Sequence, residues 1–179
     1  MAKHIAFLKA INVGGHTVKM DHLKKLFEKM GFEKVETFIA SGNVVFEIKS
    51  KSMDVIKKKI ETELEKSLGY KVATFIRTTK ELKEIAEHKP FKESDLDNKQ
   101  NYLYLGFLDN QPNKESQKKV LTLSDKANEF HFNKTELYWL CRKNFSDSGI
   151  TGKTLEKALG METTIRNATT IKKMVVRFC

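Results

Sequence analysis

The feature that most constrains this chain is an order of elements that runs past twice. From the N-terminus the residues read strand, helix, then two strands joined by a short turn, then a second helix, and the same order returns after residue 101. His4 to Ala10 is an apolar strand. Met20, Leu23, Leu26, Phe27 and Met30 recur at helical spacing and stop at Gly31. Val35 to Ala40 and Val44 to Ile48 are strands separated only by Ser41-Gly42-Asn43, which makes them a hairpin. Ser52 stands as an N-cap before a helix with Met53, Ile56, Ile60, Leu64 and Leu68 on one face, closed by Gly69. Tyr70 to Arg77 is a further strand, and Thr78 with Glu81 forms a capping box for a short helix to about His88.

The second pass begins at Tyr102 to Leu108, apolar on both faces as a central strand is. Asn110-Gln111-Pro112-Asn113 turns into a helix ending near Leu123. Glu129 to Asn133 and Glu136 to Arg142 pair across Asn133-Lys134, and a loop from Asn144 to Gly152 precedes a helix through Leu155 and Leu159. The last helix carries Ile171, Met174, Val175 and Phe178 on one stripe and is capped by Asn167. The expectation is an α+β fold of duplicated βαββα (ferredoxin-like) subdomains, with sheets covered by helices. The first half spans 1–88 with an extra strand and helix, 89–101 is a linker, and the second half spans 102–179 with its C-terminal helix. Residue identity between the halves is faint, so the repeat is read from element order.

Composition narrows the function classes. The chain of 179 residues has 33 Lys and Arg against 23 Asp and Glu, a net charge of +10, which raises the question of nucleic acid. The excess is mostly lysine interleaved with glutamate, as in Lys57-Lys58-Lys59 ahead of Glu61, Glu63 and Glu65, the pattern of a solvated surface. There is no Arg-rich arm and no Gly-aromatic RNA signature. No apolar run approaches the ~18 residues of a membrane span, and the N-terminus has no signal-peptide pattern. Cys141 and Cys179 give neither a disulfide framework nor metal-ligand spacing, so a cytoplasmic protein with reduced thiols is expected. His4, His16, His22, His88 and His131 show no metal spacing, and no cofactor is expected.

A site is expected at one edge. Strands one and two of each half are joined by a helix, so in one sheet they run parallel and end at the same edge. In the first half that edge gathers Asn12, Gly14, Gly15 and His16 with Ser41, Gly42 and Asn43. Glycines let backbone N–H groups approach a ligand, a following helix start favours an anion, and Lys9 or His16 adds charge. The same residues have structural uses: Gly-Gly makes a turn, Ser-Gly-Asn makes a hairpin, and asparagines satisfy loop backbone. The leading reading is therefore a small anionic or phosphorylated ligand, with a nucleic-acid-binding module or a protein-interaction module as alternatives.

Two further segments are secondary candidates. Gly149-Ile150-Thr151-Gly152-Lys153-Thr154 looks like a nucleoside-triphosphate loop, but the position five residues before Gly152 is Asp147 rather than glycine, and a carboxylate there opposes phosphate. Gly152 and Lys153 remain able to meet an anion at a helix start. Arg166 and Asn167 stand before the last helix as an anion clamp, or as a surface arginine beside an N-cap. Cys141 alternates with Trp139 and Leu137, the pattern of an inert buried thiol, and no Ser-His-Asp or Cys-His set is identifiable.

Phe7-Leu8-Lys9-Ala10-Ile11-Asn12-Val13-Gly14-Gly15, then Met20, Leu23, Gly31-Phe32, Val35, Thr37 and Ser41-Gly42-Asn43-Val44-Val45-Phe46, resemble the signature of the bacterial domain-of-unknown-function family 1697. The similarity continues at Thr164-Ile165-Arg166-Asn167 and Thr169. Lys9-Ala10 stands where the family usually has Arg-Gly, and Ala168 where it often has tryptophan. The resemblance implies a duplicated βαββα architecture and implies no activity.

Overall fold

The first apolar strand forms at Ala2–Leu8 (β1) in the computed structural model, which describes residues 2–49 and 52–179. It ends two residues earlier than its apolar run suggests, because Ala10 takes a left-handed backbone (φ 54°) that no strand can continue. The amphipathic stripe after it forms α1 (Met20–Lys29), and the hairpin forms β2 (Glu33–Phe38) and β3 (Asn43–Ile48). α2 (Met53–Leu68) begins at Ser52, whose side chain makes no cap bond, and stops at Gly69 with φ 81°. β4 (Thr74–Thr78) starts four residues later than the sequence reading placed it. Thr78 and Glu81 make the expected capping box for α3 (Thr79–Glu87): the Thr78 N–H donates to Glu81 Oε2 at 2.7 Å, and the Glu81 N–H to Thr78 Oγ1 at 3.2 Å.

The chain divides into two units, one running to Leu82 and the other from Lys83 to Cys179. In the first, the strand order is β2-β3-β1-β4 with every neighbouring pair antiparallel. β1 and β2 therefore run parallel with β3 between them, and their C-terminal ends share an edge. Leu23 and Phe27 of α1 and Ile56, Ile60 and Leu64 of α2 bury against Ala6, Leu8, Val44 and Phe46 of the sheet. Each such side chain contributes about 2 kcal/mol of hydrophobic free energy, so this layer outweighs any single polar contact. Ile5, Phe7, Val45 and Phe75, on the opposite face, are buried as well.

The second unit holds α4 (Glu93–Leu96), β5 (Tyr102–Phe107), α5 (Lys114–Leu121), β6 (Asn128–Asn133), β7 (Glu136–Cys141), α6 (Gly152–Leu159), β8 (Thr164–Asn167) and α7 (Ala168–Phe178). Its order is β6-β7-β5-β8, again antiparallel throughout. β8 escapes a reading of the sequence. It is four residues long, it lies directly against the cap of α7, and its buried residues are the polar Thr164 and Arg166. With β8 included, each unit is βαββαβ followed by a helix, the ferredoxin-like order doubled.

The strand registers then align the halves residue by residue. Phe7 faces Asn43 as Phe107 faces Glu136. The Leu8 N–H donates to the Gly42 carbonyl at 2.8 Å as Leu108 donates to Thr135 at 3.0 Å. Ile5 faces Arg77 as Leu105 faces Arg166, and each arginine donates from Nη1 to the carbonyl of the isoleucine before it, at 2.8 and 2.9 Å. Ile76-Arg77-Thr78 and Ile165-Arg166-Asn167 are thus the same strand end and helix cap.

Candidate functional site

At the shared end of β1 and β2, two segments meet: residues 9–19, between β1 and α1, and residues 39–42, in the β2–β3 turn. Asn12 ties them. Its Nδ2 donates to the Ala40 carbonyl at 2.8 Å, and its Oδ1 accepts the Val18 N–H at 2.5 Å, which also closes the loop on itself. Asn43 is fully buried, and its Nδ2 donates to the Phe38 carbonyl at 3.0 Å and to Ser41 Oγ at 2.9 Å. Gly42 is where the backbones come closest: with φ 75°, a Cβ there would lie 2.5 Å from Ile11 Cγ2 and 3.1 Å from Leu8 Cβ. Ala10 (φ 54°) and Ile39 (φ 52°) are left-handed in the same place. For a β-branched residue that conformation is strained, and such strain gathers at binding and switch regions.

The other side of the 9–19 loop faces a cleft of about 590 Å³, a size within the usual range for small-molecule sites. Gly15, His16, Lys19 and His22 line one wall, and Ser67, Leu68 and Tyr70, at the end of α2, line the other. Gly15 has φ 88° and nothing within 4 Å of where a Cβ would stand, so glycine serves its backbone turn and leaves room beside the next residue. His16 is exposed, and its ring stacks on Tyr70 with centroids 3.7 Å apart and planes 23° from parallel. The Tyr70 hydroxyl donates to the Ile11 carbonyl at 3.3 Å, and burial pushes its phenol above the usual value, so the proton that makes this bond stays in place. Among the described residues no carboxylate lines the cleft, and neither Lys19 nor His22 has an acidic partner. The wall carries only positive and neutral donors.

The seven primary candidates thus divide. Asn12, Ser41, Gly42 and Asn43 make the brace, while Gly15 and His16 line the cleft. Gly14 (φ 64°) turns the loop between the two. Lys9 is half-buried, with its N–H on the Ala73 carbonyl at 2.9 Å. Lys19, His22 and Tyr70 are cleft residues that sequence reading missed. His22 reads as an exposed helix residue, and Tyr70 joins the loop only through the fold.

The secondary candidates belong to the second unit. Gly152 and Lys153 open α6, where the Thr151 hydroxyl accepts the Thr154 N–H at 3.2 Å in a capping box, so the first turn supplies its own acceptor. Burial pushes the Arg166 guanidinium down to about 10, and its Nη1 donates to Thr164 Oγ1 at 2.7 Å. Asn167 spends its Oδ1 on the Thr169 N–H at 2.8 Å. It also lines a smaller cavity of about 230 Å³ whose charges are mixed: Lys89, Lys172, Glu93 and Asp97. Elsewhere in this unit His131 lies 5.6 Å, ring to ring, from His88, and burial together with that neighbour holds His131 below the usual histidine value. Cys141 is buried, with Sγ 3.2 Å from the Lys143 carbonyl, as expected of an inert thiol.

A family model described as a protein of unknown function, DUF1697, matches residues 1–138. The chain belongs to the DUF1697 family. The matched span takes in the whole braced loop, the cleft and the second unit as far as β7. The similarity noted at Thr164–Asn167 and Thr169 lies beyond it. No curated protein matches the chain. Among solved structures, it is similar to the conserved bacterial protein SP0830 from Streptococcus pneumoniae, with a TM-score of 0.79 and 23% identity over 99% of this chain and 98% of that one. At that identity the likeness shows the doubled ferredoxin-like fold of this DUF1697 protein. Among the described residues no helix is long and apolar enough to cross a membrane, and no group of three or more metal-ligating side chains occurs.

Proposed function

We propose that the first unit binds a small anionic, phosphate-bearing molecule in the cleft between Gly15–His22 and Ser67–Tyr70. The observation that carries this reading is the lining itself: among the described residues Lys19 and His22, beside the His16 ring, line a cleft without a carboxylate. A lone ammonium at a protein surface attracts anions weakly. Several donors gathered along one open cleft add their attraction. The braced loop supports the same reading, because Asn12 fixes its shape next to left-handed Ala10 and Ile39, and such strain gathers at binding regions.

Of the edge expected from the sequence the proposal keeps Gly15 and His16 of the loop and moves the ligand away from the Ser41–Asn43 turn, to the loop face that Asn12 and Asn43 do not occupy. The net charge of +10 supports a nucleic-acid surface only in a general way, and no segment of this chain favours that reading as specifically. Two cysteines outside any disulfide, Cys141 buried and Cys179 exposed, support a reducing, cytoplasmic setting.

A thermal-shift series with inorganic phosphate, pyrophosphate and sugar phosphates tests the proposal. Stabilisation that falls with added salt and is lost in Lys19→Met and His22→Gln supports it. No stabilisation by any phosphate compound, or equal stabilisation of both variants, overturns it.

A further inference from the structure

The His16–Tyr70 pair is more than a lining. Tyr70 is anchored by its hydroxyl on the Ile11 carbonyl and backs the imidazole at 3.7 Å, so the His16 ring is held flat from one side only. His16 is itself exposed, and Gly15 beside it carries no side chain to cover the ring. The result is an aromatic surface of fixed orientation with one open face, standing in the same cleft as Lys19 and His22. A flat heteroaromatic ring gains on such a surface because every base has a π-face, and the gain needs no particular hydrogen-bond pattern.

We infer that the ligand of this cleft is a mononucleotide, its base stacked on His16 and its phosphate held against Lys19 and His22. This rests on the anion reading above and adds the ring. The cleft volume of about 590 Å³ leaves room for both ends of such a molecule.

The test is isothermal titration of the full chain with AMP, adenosine, ribose 5-phosphate and inorganic phosphate. AMP is expected to bind about tenfold or more tighter than ribose 5-phosphate, the range of one stacked base. In His16→Ala that gap closes while ribose 5-phosphate binding changes little, and His16→Phe, which keeps a ring and removes the nitrogens, restores the gap. Melting temperatures of both variants check that the loop still folds, and the exposed position of His16 makes either change tolerable. Equal affinity for AMP and ribose 5-phosphate, or a gap that survives His16→Ala, overturns the stacked base and leaves the anion site standing. Adenosine binding as tightly as AMP overturns the proposal from the other end. No binding by any of the phosphate compounds overturns both readings together.

Discussion

The two units share one backbone frame and differ where β1 and β5 hand over to their helices. In the first, residues 9–19 lead from β1 to α1, and in the second, residues 108–113 lead from β5 to α5, a connection little more than half as long. The frame around them is the same, down to the Leu8–Gly42 and Leu108–Thr135 hydrogen bonds. Where the first unit has Gly42 and the fully buried Asn43, the second has Thr135 and Glu136, whose side chains bond each other at 2.9 Å. The shorter connection needs no brace, because Asn113 simply caps α5 through the Ser116 N–H at 2.8 Å. Duplication therefore supplied a scaffold twice, and the first copy has the longer loop, braced by Asn12, beside the cleft of about 590 Å³. The contrast is why the proposed site is put in the loop rather than in the shared fold.

The comparison breaks most readily at Gly42. Gly42→Ala forces a Cβ to 2.5 Å from Ile11 Cγ2 at a left-handed φ of 75°, and strain and overpacking together cost about 3 kcal/mol. Thr135→Ala at the matching site costs under about 1 kcal/mol. Urea unfolding of both variants measures the difference, and equal losses would end the claim that the rims differ. Asn12→Ala removes two hydrogen bonds from the loop and costs about 2 kcal/mol. Hydrogen exchange at the Val18 amide is expected to accelerate well beyond that fall in global stability. Ile39→Gly relieves a left-handed β-branched residue that is half exposed, and it raises stability by about 1 kcal/mol, readable as a higher urea midpoint.

The smallest effect belongs to the second unit. His131 is held below its ordinary value of 6.5 by burial and by His88. Below about that pH the unfolded chain takes up a proton that the folded chain refuses, so stability is full above it and falls as the pH drops toward the folded value. His131→Gln flattens part of the stability difference between pH 7.5 and pH 5.5. If the slope is unchanged, this histidine is not the group that titrates.

Much of this was legible beforehand because it is local. Gly31 and Gly69 ended their helices as read, and Thr78 with Glu81 capped α3 as read. The convergence of the Asn12–His16 loop with the Ser41–Asn43 turn followed from the crossover that puts β1 and β2 parallel. β8 was not legible, because four residues around an inward arginine carry no apolar alternation. Nor was the cleft, since Tyr70 reads as the start of a strand until its hydroxyl is seen on Ile11.

By itself the sequence determined the periodicities, the caps and the element order, and these suffice for two α+β halves because hydrophobic spacing and turn chemistry act within a few residues. The tertiary structure alone decided which side chains the rim consumes and which it leaves facing the cleft. Asn12 and Asn43 look as available as His16 along the chain. Only the packed backbone reveals that the carbonyls of Ala40 and Phe38 lie within reach of the asparagines, and that Tyr70 lies beneath the imidazole. The rim carbonyls took the asparagine amides as donors and left the ring.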